Sequence, residues 1–291
     1  MKFMKTFLVF VFLLLLNSSS HAQKKDKKLQ SKIEALIKDF GGDIGIYVKN
    51  LESGKTVSIN SDSIFPTASI VKLPIMVGIM DKINRGELTY HQSLTYRDSL
   101  LYAGVDILGS FKDSEKIDLS KVMMLMLTMS DNTASLWLQS LAGTGTRINE
   151  IMDSLGLQHT RVNSRTEGRE GYRKQYGWGQ TTPEEMARLV EMIVEGRVIN
   201  PSSGDKMIRM MGRNYWDEAA ISQIPAGIFV AGKTGAVNQS RNEIIYVNGN
   251  KTRYIFSIFT KNNIDQSWKD ENEAWELTRK ISALIWDHYS R

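Results

Sequence analysis

Strand-like runs lie near both ends of this chain and helical ones lie between them, so any sheet has to be closed from two distant parts of the sequence. Asp43–Asn50 and Lys55–Asn60 are short runs joined by Glu52-Ser53-Gly54, which reads as a hairpin turn. Ile228–Lys233, Glu243–Asn248 and Arg253–Thr260 are three further β-rich runs. Between the two groups, Ser69–Ile83 is densely apolar and Leu119–Leu141 carries Met and Leu at helical spacing. Thr182-Pro183-Glu184-Glu185 reads as an N-cap, a proline at the first helical position and early acids, opening a helix to about Glu195. Leu29–Phe40 has helical spacing and stops at Gly41-Gly42, and Lys269–Tyr289 forms a final amphipathic helix. The fold class expected is α/β (α+β): a five-stranded antiparallel sheet flanked by helices, with an inserted all-helical lobe. The sheet lobe is expected from 29–65 and about 206–291, and the helical lobe from about 66–205. Residues 161–181 are polar, Gly-rich and without period; a loop of that length in a compact domain is usually functional.

The first 22 residues are not expected to join this fold. Lys2 and Lys5 precede the apolar stretch Thr6–Leu16, and Ser20-His21-Ala22 closes a small polar region. This is the pattern of a secretory signal peptide cleaved after Ala22, leaving one domain over 23–291. The apolar stretch is too short for a span of about 20 residues, so export to the periplasm or medium without a stable membrane anchor is expected. Removing two lysines and no acids with the leader takes the net charge from +5 to +3. Much of the remainder sits in Lys24-Lys25-Asp26-Lys27-Lys28, read as a solvated tail. No Arg-rich stripe with interleaved aromatics supports nucleic-acid binding. The chain has no cysteine, which removes thiol nucleophiles and Cys-ligated zinc. Its four histidines are scattered, so no metal or other cofactor is expected.

Chemistry begins at Ser69-Ile70-Val71-Lys72. A serine hydroxyl needs a nearby base to become a nucleophile, and residues three apart on a helix share a face. A lysine serves as base when burial lowers its pKa, and Ile70, Val71, Leu73, Ile75, Met76 and Val77 would bury Lys72. Spacing alone does not select this serine: Ser203-Gly204-Asp205-Lys206 repeats it in a polar, loop-like setting. Two tripeptides add weight to Ser69. Ser130-Asp131-Asn132 follows the apolar run Met123–Met129, and Lys233-Thr234-Gly235 ends the strand near Ala231.

Those three motifs in that order resemble the serine β-lactamases, class A in particular, within the wider β-lactamase and penicillin-binding superfamily. The likeness runs from about Gly45 to Thr260 and includes Thr181-Thr182-Pro183 and Arg241-Asn242-Glu243. It implies a two-lobed transpeptidase-like fold and a role for each matching residue. Ser69 would be acylated, Lys72 would move its proton, and Ser130 would pass a proton to the departing nitrogen. Asn132 would hold the substrate's side-chain amide, and Lys233, Thr234 and Gly235 would meet its carboxylate. The backbone N–H groups of Ser69 and Ala236 would form the oxyanion hole. Arg241 is either a second carboxylate contact or a solvated turn residue. Asp131 is expected to brace the loop backbone, and Tyr102 either lines the cleft entrance or is an ordinary half-buried tyrosine.

The sequence departs from the family in the 161–181 loop. Class A enzymes activate the deacylating water with a loop Glu followed three residues later by Asn. Glu167 aligns best with that Glu, Glu170 is a possible substitute, and the Asn position holds Gly171. Two readings follow. One is a β-lactamase that turns over with help from Glu167. The other is a penicillin-binding module, or a D-alanyl peptidase-like hydrolase acting on cell-wall peptides, that acylates and then releases slowly or not at all. The ligand is a small β-lactam or a peptide of that kind, and a monomer is expected.

Overall fold

The computed structural model of the chain describes residues 24–291 apart from Val105 and Lys251; the expected leader, with its cleavage point after Ala22, lies outside the described residues. The main sheet runs Lys24–Lys25, Lys55–Ile59, Asp43–Asn50, Thr252–Lys261, Ser240–Gly249, Phe229–Val237 in spatial order. The five long strands are antiparallel neighbours, as the runs at the two ends of the chain require. The sixth was not anticipated: Lys24–Lys25 pairs in parallel with Lys55–Thr56. The basic segment is therefore no free tail. Asp26 directly after it is buried, caps the helix Lys27–Ile37 through the Leu29 N–H at 3.1 Å, and meets His288 Nε2 at 3.0 Å.

Alternation along each strand separates two cores. Ile44, Ile46, Val48, Ile245, Val247, Phe256 and Ile258 point toward the terminal helices, where Leu29, Ile33, Ile281 and Ile285 cover them. Tyr47, Ile244, Tyr246, Ile255 and Phe259 point the other way, onto the helical lobe. That lobe is built on the helix Lys72–Asn84, which is buried along most of its length. Met207, Met210 and Met211 of the helix Pro201–Met211 pack into the same core. Ser203-Gly204-Asp205-Lys206 thus lies on a helix rather than a loop, with the Ser203 N–H bonded to Asn200 and Lys206 over the Tyr90 ring.

Two local departures shape the site. The apolar stretch Leu119–Leu141 is not one helix but two, Leu119–Thr128 and Asn132–Leu141, broken at Ser130 with φ 59° and restarted by the Asp131 cap on the Ala134 N–H. The 161–181 loop is tied at its neck by a small sheet in which Gly179–Thr181 pairs with both Arg161–Val162 and Phe65–Pro66. Because Pro66 is three residues from Ser69, this sheet seats the loop beside the nucleophile. Among the described residues no helix is long and apolar enough to cross a membrane.

Candidate active site

Ser69 lies in a single 3₁₀ turn, Ala68–Val71, that feeds the helix beginning at Lys72. Ala68 before it is held at φ 45° and Ser130 at φ 59°. A non-glycine residue in that region is strained by roughly 1–3 kcal/mol, so surrounding structure must hold it, and such residues cluster at sites of function. Here both strained residues flank the same point. Lys72 Nζ is 3.0 Å from Ser69 Oγ, 3.0 Å from Ser130 Oγ, 2.5 Å from the Ser130 carbonyl and 2.9 Å from Asn132 Oδ1. An ammonium has three protons to donate, so one of these four oxygens is not served by the charged form. A neutral amine can instead accept from the Ser69 hydroxyl.

The electrostatics favour that neutral form. Lys72 is fully buried, and burial pulls its pKa down to about 7 against the opposing pull of Asp106 and Asp131. Lys233 is also fully buried; it donates to Ser130 Oγ at 3.1 Å and to the Thr234 carbonyl at 2.9 Å. Burial, with Lys72 as a second cation, holds it well below the ordinary lysine range, while Glu243 opposes the shift. Glu243 is itself buried, its Oε2 accepts from the Ala220 N–H at 2.8 Å, and burial raises it to about 7. Two lysines thus converge on one serine hydroxyl.

The strand Phe229–Val237 forms the opposite wall. It is an edge strand of the sheet, and Gly235 lets it lie against the Ser69 turn. A Cβ on Gly235 would sit 2.5 Å from the Thr67 carbonyl and 3.0 Å from the Ser69 nitrogen, so only glycine permits this approach. The resulting cleft encloses about 970 Å³ and is lined by Ser69, Tyr102, Asn132, Trp178, Ala236 and Trp268, among others. Tyr102 stands on its rim, edge-on to Trp178 at 5.2 Å between ring centroids. Among the described residues no group of His, Cys, Asp or Glu could hold a metal ion.

Ser69, Lys72, Ser130, Asn132, Lys233, Thr234, Gly235 and Ala236 are therefore brought to one place. Arg241 is not. Its side chain is 1% exposed and turns beneath the cleft wall, between the rings of Trp268 and Trp275 at 4.3 and 4.8 Å. There it donates to the carbonyls of Val237, Ser240, Gln266 and Ser267. It is neither a carboxylate ligand nor a solvated residue; a guanidinium with so many carbonyl partners is a brace.

Glu167 is not brought to Ser69 either. Glu167 and Glu170 are exposed and face a separate hollow of about 170 Å³ with Asn163, Arg165, Thr166 and Arg173. The loop residues that reach the cleft are Gln175–Trp178. The cause lies in the loop's interior. Arg169 turns inward, donating to Asn163 Oδ1 at 3.0 and 2.8 Å and to Gln180 Oε1 at 2.9 Å, with its guanidinium 4.0 Å from the Tyr172 ring centroid. Asn163 and Gln180 are buried amides, so the interior is filled by neutral acceptors and one arginine, and the carboxylates stay in water.

Sequence reasoning missed Asp106. Its carboxylate accepts from the N–H groups of Asn132 at 3.0 Å and Thr133 at 2.8 Å, and from the Thr133 hydroxyl at 2.9 Å. No motif marks it; it lies in an aperiodic stretch 26 residues from its partner. Trp178, Tyr176 and Trp268 on the cleft wall were missed for the same reason.

Comparison with known proteins agrees with this geometry. Residues 28–289 match the family described as the β-lactamase enzyme family. Among characterised relatives, β-lactamase SME-1 of Serratia marcescens is 25% identical, with 96% of each chain covered. β-Lactamase VEB-1 of Pseudomonas aeruginosa is 22% identical, with 99% of each covered. Among solved structures, PBP-A superposes with TM-score 0.81 at 25% identity, covering 92% of this chain and 98% of that one. A mutant of PBP-A, solved as an acyl-enzyme complex with penicillin G, superposes with TM-score 0.80.

Proposed function

The chain belongs to the β-lactamase enzyme family, and from that premise we propose that it opens the amide of β-lactams through an acyl-enzyme on Ser69. The single observation that carries this reading is the convergence of Lys72 on both Ser69 Oγ and Ser130 Oγ at 3.0 Å. Neutral Lys72 takes the Ser69 proton as Oγ attacks the lactam carbonyl. The backbone N–H groups of Ser69 and Ala236 receive the developing oxyanion, a type of contact worth about 10²–10³ in rate for one donor. The C–N bond then breaks, and Ser130, held between Lys72 and Lys233, passes a proton to the leaving nitrogen. Lys233 and Thr234 meet the substrate carboxylate, and Asn132 meets its side-chain amide. Water then cleaves the ester and frees Ser69.

One observation favours a second reading for that last step. Neither Glu167 nor Glu170 lines the cleft that contains Ser69. A general base contributes about 10²–10⁴ only with geometry to match, so a protein that acylates readily and releases slowly is the alternative. A chromogenic β-lactam assay combined with mass spectrometry of the intact protein separates the two. Steady turnover lost in Ser69→Ala supports the hydrolase; one equivalent of lasting adduct on Ser69 supports slow release. Neither turnover nor adduct in the native protein would overturn both for lactams.

Export as a single domain spanning 23–291, free of a membrane anchor and monomeric, belongs to the same proposal. N-terminal sequencing of the mature protein is expected to start at Gln23, and sedimentation to give one chain per particle.

A further inference from the structure

We propose that Asp106 is the positioning residue of this site, a carboxylate that fixes where Asn132 and Tyr102 stand and that supplies a negative charge beside Lys72. The inference rests on the roles given to Ser69 and Lys72 above.

The first turn of the helix Asn132–Leu141 begins with unsatisfied N–H groups. Asp131 caps one of them, the Ala134 N–H at 2.8 Å. Asp106, reaching in from the 101–111 loop, takes two more, those of Asn132 and Thr133. The clasp is reciprocal, because the second oxygen of Asp131 accepts from the Leu108 N–H of that loop at 2.9 Å. Loop and helix therefore each give a carboxylate to the other's backbone.

Two consequences reach the cleft. Asn132, whose N–H is held by Asp106, is the residue whose Oδ1 lies 2.9 Å from Lys72 Nζ. Thr133, whose hydroxyl donates to Asp106, accepts in turn from the Tyr102 N–H at 3.0 Å, which sets that ring on the rim opposite Trp178. Removing the carboxylate loosens both walls at once.

The charge has its own effect. The ionisable groups that bear on Lys72 are Asp106 from the loop, Asp131 from the turn before the helix, and Lys233 from the edge strand. Burial drives Lys72 down, and Asp106 is the foremost opposing influence. A nearby carboxylate favours the ammonium, so its loss moves the Lys72 titration lower.

The test follows Lys72 directly by NMR of protein carrying isotope-labelled lysine, its signal identified by its disappearance in Lys72→Arg. In Asp106→Asn the midpoint is expected to fall by about one unit. In Thr133→Val, which breaks the hydroxyl tie but keeps the charge, it is expected to stay. The low-pH limb of Ser69 acylation by a chromogenic β-lactam should move with it. An unchanged midpoint in Asp106→Asn, or an equal fall in Thr133→Val, overturns the proposal. Should Asp106→Asn not fold, Asp106→Ser carries the same expectation and the same refutation. The titration needs no substrate, so a protein that forms no lactam adduct would defeat the proposed function and leave this inference to be decided by NMR.

Discussion

At the scale of single residues, this site is governed by how burial treats charge. Lys72 and Lys233 have no exposure and lie in the same hydrogen-bonded group, so neither keeps the ordinary affinity of a lysine for its proton. For Lys72 the sign is direct: burial lowers its pKa to about 7, so the free amine accumulates as pH rises through that value. The acylation rate is therefore expected to climb with pH around a midpoint near 7, measured as the rate of adduct formation on Ser69. Flat acylation between pH 5.5 and 8.5, a range of about three units around the midpoint, would remove Lys72 as the base. Gly235 acts through space rather than charge. Gly235→Ala places a methyl group 2.5 Å from the Thr67 carbonyl, where only backbone can yield. The edge strand must then move away from Ser69, and because a shift of about 1 Å can cost about 10²-fold, acylation is expected to fall by that order. Unfolding measurements on the same variant would show whether the loss is local.

At the scale of elements, the loop 161–181 determines which reaction follows acylation. Its neck is fixed by the strand pairs with Phe65–Pro66 and Arg161–Val162, and its interior by Arg169 on Asn163 and Gln180. Gln139 braces it from the helix below, accepting from the Ser164 hydroxyl at 2.9 Å. Arg169→Ala leaves two buried amides short of a charged partner, and each lost contact of this kind costs about 1–3 kcal/mol. The loop is expected to exchange its amide protons faster and to be nicked by protease between the two strands of its neck, while the main sheet keeps its protection. Equal protection in the variant would show that the neck alone holds the loop. The Ser130 turn is a second decisive element. Its left-handed backbone breaks an otherwise continuous apolar helix and turns the hydroxyl toward both lysines.

At the scale of the whole molecule, two cores meet across one sheet, and the chain ends are knotted into the outer one. Asp26 and His288 join the first helix to the last at 3.0 Å. Burial pushes the Asp26 carboxyl up, but the Leu29 N–H and His288 outweigh it and hold it below the usual aspartate value. A depressed carboxyl contributes stability that is present above the unfolded pKa, about 4, and is lost as pH falls through the folded value. Asp26→Asn is therefore expected to be less stable at neutral pH, by about 1 kcal/mol if it acts as a cap, and to converge on the parent below pH 3. Thermal unfolding of both proteins across that range checks it. The sequence by itself determined the strands at the two ends, the helical middle, and the motifs at Ser69, Ser130 and Lys233, because each rests on local spacing or on a short contiguous pattern. It could not place side chains that reach across the fold. Arg241 lies in a strand beside the motif, yet packing between Trp268 and Trp275 turns it away. Glu167 sits in the right loop, yet the inward turn of Arg169 leaves it in water. Asp106 belongs to no pattern and becomes part of the site only because a loop and a helix exchange carboxylates. Each of these was decided by tertiary structure, since which buried polar group finds a partner depends on what the fold packs around it.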